Sequence, residues 1–251
     1  MTVTDTFMPH VFVRMFSVGI RNHSVRRIGE KNMSYNVAID GPAGAGKSTI
    51  AKAVAKKLNL IYVDTGAMYR AMALYMLRHG VNLQDTEKII ENCKETDITI
   101  RYEDGVQVVL LNGENVNAFL RTEEVGKAAS AVSAIPQVRK KLVELQHKLA
   151  AESDCIMDGR DIGTCVLPNA QTKIYLTASS EVRAKRRYDE LAAKGEECDL
   201  EQIRADIEER DYRDMHREVS PLKQAEDAIL VDTSEMTVDE VIEKIISLCK
   251  K

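Results

Sequence analysis

The stretch GPAGAGKST, from Gly41 to Thr49, carries the spacing G-x-x-x-x-G-K-[ST] between an apolar run and a helical pattern. In such a loop the glycines let successive backbone N–H groups curl around phosphate oxygens. The following helix adds the positive end of its dipole. Gly41, Pro42, Ala43, Gly44, Ala45, Gly46, Lys47, Ser48 and Thr49 are therefore candidate ligands of a nucleoside triphosphate. Lys47 is placed to reach the β- and γ-phosphates, and the Ser48 hydroxyl to ligand Mg²⁺. The pattern is silent on whether a phosphate is moved, split off or only sensed.

A second set of residues also suits anions. In ERDYRDMHREVSP, Arg210, Arg213 and Arg217 fall at i, i+3 and i+7 of a helical pattern, with Asp214 between them. Guanidinium groups in one stripe repel each other unless an anion lies opposite. The plainer reading is a solvated face with Glu209–Arg213 and Arg210–Asp214 as i,i+4 ion pairs. Other arginines favour the anion: Arg160 in MDGRDIG, Arg70 in VDTGAMYR, and Arg183, Arg186 and Arg187 in one helical stretch. Several arginines at one edge suggest two phosphorylated ligands, since a phosphoryl group in transit spreads charge over its oxygens. No Ser-His-Asp set or nucleophilic cysteine is evident. Transfer to another phosphate needs neither, because the acceptor oxygen is already ionised near neutral pH.

Elements must bring these residues together. Five apolar runs read as buried strands: Asn36–Asp40, Leu60–Val63, Cys155–Asp158, Lys173–Thr177 and Ala228–Asp232. Helical patterns separate them, which predicts βαβ crossovers and a parallel sheet covered on both faces. Several strands run into polar clusters (IDGPAG, VDTGA, MDGRD, VDTSE) at the carboxyl edge, where ligands of open α/β sheets bind. Pro136 opens a predicted helix to about Ala151. Thr237 and Glu240 have capping-box spacing, and Gly195 stands where a helix should end. Ile98–Val116 breaks the alternation: short β runs with EDG and NG turns predict an antiparallel insertion.

Composition narrows the classes. The 251 residues carry a net charge of −4, 44% hydrophobic and 29% charged residues, the values of an ordinary globular protein. Nothing global attracts nucleic acid or an anionic membrane, and no apolar stretch is long enough to span a bilayer. Cys93, Cys155, Cys165, Cys198 and Cys249 are scattered, which suits reduced thiols in the cytoplasm. Residues 1–32 carry Arg14, Arg21, Arg26, Arg27 and Lys31 against Asp5 and Glu30. They read as an upstream extension before a start at Met33, with a transit peptide as the alternative, and are expected to be disordered.

IDGPAGAGKST, DTGAMYRA, FLRTEEVGKAAS, IPQVRK, DGRDIGT, KIYLTASSEVRAKRR and ERDYRDMHREVSPL follow one another as in bacterial cytidylate kinases. From about Met33 to its end the chain resembles that family of P-loop nucleoside monophosphate kinases. The resemblance implies a five-stranded parallel sheet flanked by helices, an NMP-binding insertion over about 81–135 and a LID over about 186–200. It implies transfer of the γ-phosphate of ATP to CMP or dCMP with Mg²⁺, in pyrimidine nucleotide metabolism, by a monomer that closes over its substrates. Arg70, Arg160 and Arg217 resemble ligands of the CMP phosphate, and Ser130, Arg139 and Asp161 the residues that read cytosine. Arg210 and Asp214 resemble the pair on the sugar, Thr65 belongs to the same acceptor site, and Arg186 and Arg187 resemble LID residues closing on the moving phosphate. With Lys47, Arg160 and Arg217 they make up the implied catalytic set. Ser48 stands where many members have glycine, and Thr65 where many have serine. A kinase for UMP or AMP is the competing enzyme, against which Ser130, Arg139 and Asp161 speak. A GTP-dependent switch would carry an N-K-x-D motif, absent here.

Overall fold

The computed structural model describes residues 34–249; the expected extension, residues 1–32, lies outside them. In chain order the elements are β1 (Asn36–Asp40), α1 (Lys47–Leu58), β2 (Ile61–Asp64), α2 (Thr65–Arg78), α3 (Thr86–Glu95), β3 (Ile98–Glu103), β4 (Val106–Leu111), β5 (Glu114–Asn115), α4 (Glu123–Val132), α5 (Pro136–Glu152), β6 (Cys155–Gly159), β7 (Thr172–Thr177), α6 (Ser180–Ala193), α7 (Leu200–His216), β8 (Ile229–Asp232) and α8 (Val238–Leu248). Five of the strands form one sheet in the order β2-β6-β1-β7-β8, and every neighbouring pair is parallel.

Alternation along the strands sends side chains to two faces. Val37, Ile39, Ile156, Ile174 and Leu176 pack with Ile50, Val54, Val241 and Ile245 from α1 and α8. Ala38, Val63, Cys155 and Met157 pack with Met68, Met72, Val125, Val138 and Leu142 from α2, α4 and α5. Both faces are thus covered, as a parallel sheet requires. From the adjacent strands β1 and β7 the chain departs in opposite directions, to β2 on one side and β8 on the other. Ligands bind at such a switch point.

The span 81–135 holds α3, the antiparallel sheet β3-β4-β5 and α4. Its two tight turns use Asp104-Gly105 and Asn112-Gly113, all with positive φ, the geometry that matches the twist of a hairpin. The small sheet does not pair with the edge strand β2; side chains do the joining. Gln107 accepts from the Asp64 N–H at 2.8 Å and donates to the Asp64 carbonyl at 3.2 Å, and the Tyr102 hydroxyl donates to the Tyr62 carbonyl at 3.1 Å. Within 186–200, α6 runs to Ala193, so only Lys194–Asp199 is irregular. Thr237 and Glu240 form the expected capping box, and Gly195 has a positive φ just past α6.

Met72 is fully buried in the larger of the two cores. Met72→Ala should cost about 2–5 kcal/mol of stability, seen as a lowered urea midpoint at an unchanged slope.

Candidate active site

Gly41 leaves β1 with a φ of 150°, and a Cβ there would lie 1.9 Å from the Leu176 carbonyl oxygen of β7. Only glycine lets the loop start this close to the neighbouring strand. Gly44 and Gly46 also have positive φ, and Gly46 caps the N-terminus of α1. Lys47 is buried and donates to the Pro42 carbonyl at 2.7 Å, folding back over the loop. Burial holds its pKa well below the usual lysine range; Arg160 adds to the effect and Asp158 opposes it.

Buried charges brace this loop from outside. Arg183, on α6, donates to the Ala43 carbonyl at 2.8 Å and pairs with Asp211 of α7, whose other oxygen accepts from the Ala43 N–H at 3.0 Å. Arg183 is therefore a support of the loop rather than one of the free cations expected from its neighbours. Arg186 donates to the Thr233 carbonyl at 2.7 Å, and exposed Arg187 pairs with Glu190 at 2.9 Å. Both arginines nonetheless line one cavity of about 290 Å³ with Gly44, Gly46, Thr49 and Thr233.

Asp158, at the end of β6, joins three elements. It accepts from the Ser48 hydroxyl at 2.7 Å and the Tyr62 hydroxyl at 2.9 Å, while its carbonyl accepts from Thr65 at 2.7 Å. Burial raises its pKa, the nearby Asp64 adds to that, and Ser48 and Lys47 oppose it. Asp64 caps α2 through the Ala67 N–H at 2.9 Å and pairs with Arg121 at 2.5 Å. The motif reading singled out none of Asp158, Asp64, Tyr62, Arg121 and Asp211. The DG and DT that close the strands were the available signal for the two strand-end carboxylates.

The arginines expected around an acceptor phosphate do converge, with different partners than the helix spacing suggests. Asp214 pairs with Arg160, at 2.8 Å from Nε, and makes no ion pair with Arg210. The i,i+4 pair Arg210–Asp214 is thus corrected: Asp214 is turned into the crevice towards β6 and not along its own helix. Glu209–Arg213 does form, at 3.6 Å, on the exposed side. Buried Arg139 pairs with Asp161, whose other oxygen lies 3.6 Å from Nη2 of Arg217. Arg70 makes no hydrogen bond or ion pair among the described residues. Ser130, half-buried on α4, shares no hydrogen bond with Arg139 or Asp161; its carbonyl accepts from Ser133 at 2.9 Å.

Two N–H groups, Arg210 Nε and Arg217 Nη2, are buried without a hydrogen-bond partner. Burial and then Arg160 push the Arg210 pKa down to about 10, against the pull of Asp214. Burial lowers Arg217 as well, with Arg139 adding to it and Asp161 opposing; burial lowers Arg70, with Asp64 opposing and Arg121 and Arg160 adding. For Asp214 burial works upward, but Arg160, Arg210 and Arg217 outweigh it and the carboxyl sits below its usual range. The site is a concentrated positive field with donors left over. An oxyanion of high charge satisfies both.

Asp40, at the end of β1, has a pKa raised to about 6 by burial, with Gly163, Ile162 and Lys47 opposing and Asp161 adding. The fold therefore binds this proton more tightly than the unfolded chain, and stability falls as pH rises from 3.8 to about 6. The decline should amount to roughly 3 kcal/mol. Across that window wild type should lose about that much stability relative to Asp40→Asn, as read by denaturation of both.

Comparison with known proteins places this geometry. The family model described as cytidylate kinase matches residues 37–251. A cytidylate kinase of Caldicellulosiruptor saccharolyticus is 52% identical over 216 residues, covering 86% of this chain and 96% of the relative. One of Desulforamulus reducens is 54% identical over 215 residues, covering 86% and 96%. One of Lactobacillus johnsonii is 50% identical over 224 residues, covering 88% and 97%. With a phosphate loop at one end of the crevice and an arginine field at the other, the chain belongs to the cytidylate kinase family.

Proposed function

We propose that the protein transfers the γ-phosphate of ATP to CMP or dCMP, giving ADP and CDP or dCDP. One observation carries the reading: half-buried Arg210 and Arg217 each keep a buried N–H without a hydrogen-bond partner, Arg217 beside the Arg139–Asp161 pair and Arg210 beside Arg160 and Asp214. The phosphate loop, Gly41 to Thr49, holds the donor, with Lys47 on the phosphates. Arg70, Arg160 and Arg217 hold the acceptor phosphate, whose ionised oxygen attacks the terminal phosphorus of the donor as the bond to the leaving β-phosphate oxygen breaks. No general base is required. Arg186 and Arg187 advance from α6 over the phosphate in transit as the segment 186–200 closes. The insertion, 81–135, closes from the acceptor side.

Asp161 and Ser130 accept from the exocyclic amine of cytosine, and Arg139 donates to the ring carbonyl or N3. Uracil would turn a carbonyl towards the carboxylate and leave buried polar groups unpaired, which rejects it better than shape can. Arg210 and Asp214 hold the sugar, and Thr65 completes the acceptor site.

The Ser48 hydroxyl and the Asp158 carboxylate are hard oxygen donors side by side, the chemistry that suits Mg²⁺. Among the described residues no cluster of three His, Cys, Asp or Glu side chains could hold a metal. That suits an ion taking most of its ligands from phosphate and water. When bound, Mg²⁺ neutralises charge on the donor phosphates. The five cysteines are free, which favours a reducing, cytoplasmic setting. Among the described residues no helix is long and apolar enough to cross a membrane.

A panel of acceptors in a coupled assay for ADP release should rank CMP and dCMP first. UMP or AMP outpacing CMP would overturn the assignment. Arg217→Ala should lower turnover by about 10²- to 10³-fold with an unchanged circular dichroism spectrum and melting temperature, and near-normal turnover would remove its phosphate role. Lys47→Ala should abolish transfer; retained activity would mean that the loop does not hold the donor.

A further inference from the structure

We infer that Asp40 is a positioning residue for acceptor recognition, its carboxylate fixing the turn that presents Asp161 to the base. The inference rests on the reading of Asp161 given above. Asp40 is 4% exposed and both its oxygens are used: Oδ1 accepts from the Ile162 N–H at 2.8 Å, and Oδ2 from the Gly163 N–H at 2.7 Å. These are the two amides immediately after Asp161. The carbonyl of Asp161 is in turn held by the N–H groups of Cys165 at 2.8 Å and Val166 at 3.1 Å. His147, on α5, donates from Nε2 to the Val166 carbonyl at 2.7 Å. The backbone just after Asp161 is thus held by four hydrogen bonds, and from this fixed root its side chain reaches Arg139 and Arg217.

A carboxylate does this better than its neutral analogues. Two parallel N–H donors need two acceptor oxygens; an asparagine offers one and turns an NH₂ towards the second donor. Gly163 is shaped to the same contact. A Cβ there would lie 3.3 Å from Asp40 Oδ2 and 3.3 Å from the Cδ of Lys173, so even a methyl group presses on the clamp. The charges acting on Asp40 are Lys47 from α1 and Asp161 from the turn itself. Asp40 also precedes Gly41 directly, so the root of the donor loop and the base-reading turn are anchored at one residue.

The alternative is a carboxylate that merely stabilises the turn. It would lower stability when lost and leave the balance between the two substrates unchanged. The two are separated by steady-state kinetics and calorimetric binding of CMP and ATP to wild type, Asp40→Asn and Gly163→Ala. Positioning predicts that Asp40→Asn raises KM and Kd for CMP tenfold or more, leaves those for ATP within twofold, and narrows the preference for CMP over UMP. Gly163→Ala should move the same constants in the same direction by a smaller factor, and it carries the test should Asp40→Asn not fold. Unchanged CMP constants in folded variants, or CMP and ATP constants shifting together, would overturn the inference. Should the wild type fail to phosphorylate CMP at all, the functional reading itself falls. A wild type active on CMP whose variants keep its preference defeats this inference alone.

Discussion

Positive charge held in a half-dry crevice is the constraint on which the rest of this structure depends. Arg70, Arg160, Arg210 and Arg217 repel each other and lose hydration where they meet, and the lowered pKa values of Arg70, Arg210 and Arg217 register that cost. Carboxylates from α7, from the turn after β6 and from the end of β2 make the crowding tolerable. Asp214 answers Arg160, Asp161 answers Arg139 and Arg217, and Asp64 answers Arg121 beside Arg70. Compensation is incomplete: one buried N–H of Arg210 and one of Arg217 have no hydrogen-bond partner, the latter 3.6 Å from an Asp161 oxygen. A fully neutralised cluster would have no preference for a ligand. An anion placed among these arginines would supply the missing acceptors and lower their repulsion.

The same carboxylates set which parts can move. β2 is an edge strand, and the small sheet ties to it through Gln107 and Tyr102, with Arg121 on Asp64. Val109, Leu111 and Val125 of the insertion pack into the same core as Val63 and Met157 of the large sheet. On the other side Arg186 is held by the Thr233 carbonyl and Arg187 by Glu190, both by contacts an incoming polyphosphate can outbid electrostatically. Arg183 differs. Its pairing with Asp211 is buried and is shared with the backbone of Ala43, so it fixes the loop in a way that Arg186 and Arg187, bound to Thr233 and Glu190, do not.

Local signals in the sequence read this fold well because each had a single physical cause. The five strands are apolar runs stopped by turn residues, and all lie within one residue of where those runs predict them. The hairpins follow from DG and NG, and the helix caps from Ser, Thr and Asp at the right offsets. Long-range pairing is where spacing fails. Arg210 and Asp214 are one helical turn apart and invite an i,i+4 bridge, yet Asp214 chooses Arg160 because the crevice, drier than the helix surface, rewards the pairing more. Arg183–Asp211 and Tyr62–Asp158 join residues 28 and 96 positions apart. No periodicity encodes such partners; they appear only once the strands are laid in the order β2-β6-β1.

Ser48 and Tyr62 show how a departure at one position becomes intelligible through another. A glycine at position 48 would leave Asp158 with Tyr62 as its only side-chain donor. With serine there, both carboxylate oxygens are occupied, one by each hydroxyl. The carboxylate is therefore fixed in rotation, and the serine oxygen beside it still has lone pairs to offer a cation. Thr65 adds a third tie, from α2 to the backbone of Asp158 itself. The Gly41–Thr49 loop with its helix, β2 and α2 thus share one residue at the end of β6. Asp40 does the same for the root of that loop and the turn after β6, at the end of β1. β1 and β6 are parallel neighbours, about 5 Å apart as such strands are, so these two carboxylates tie loop, strand and helix together at one place on the sheet edge. Phosphoryl transfer rests mostly on positioning, and rigidity at a strand end is what positioning requires.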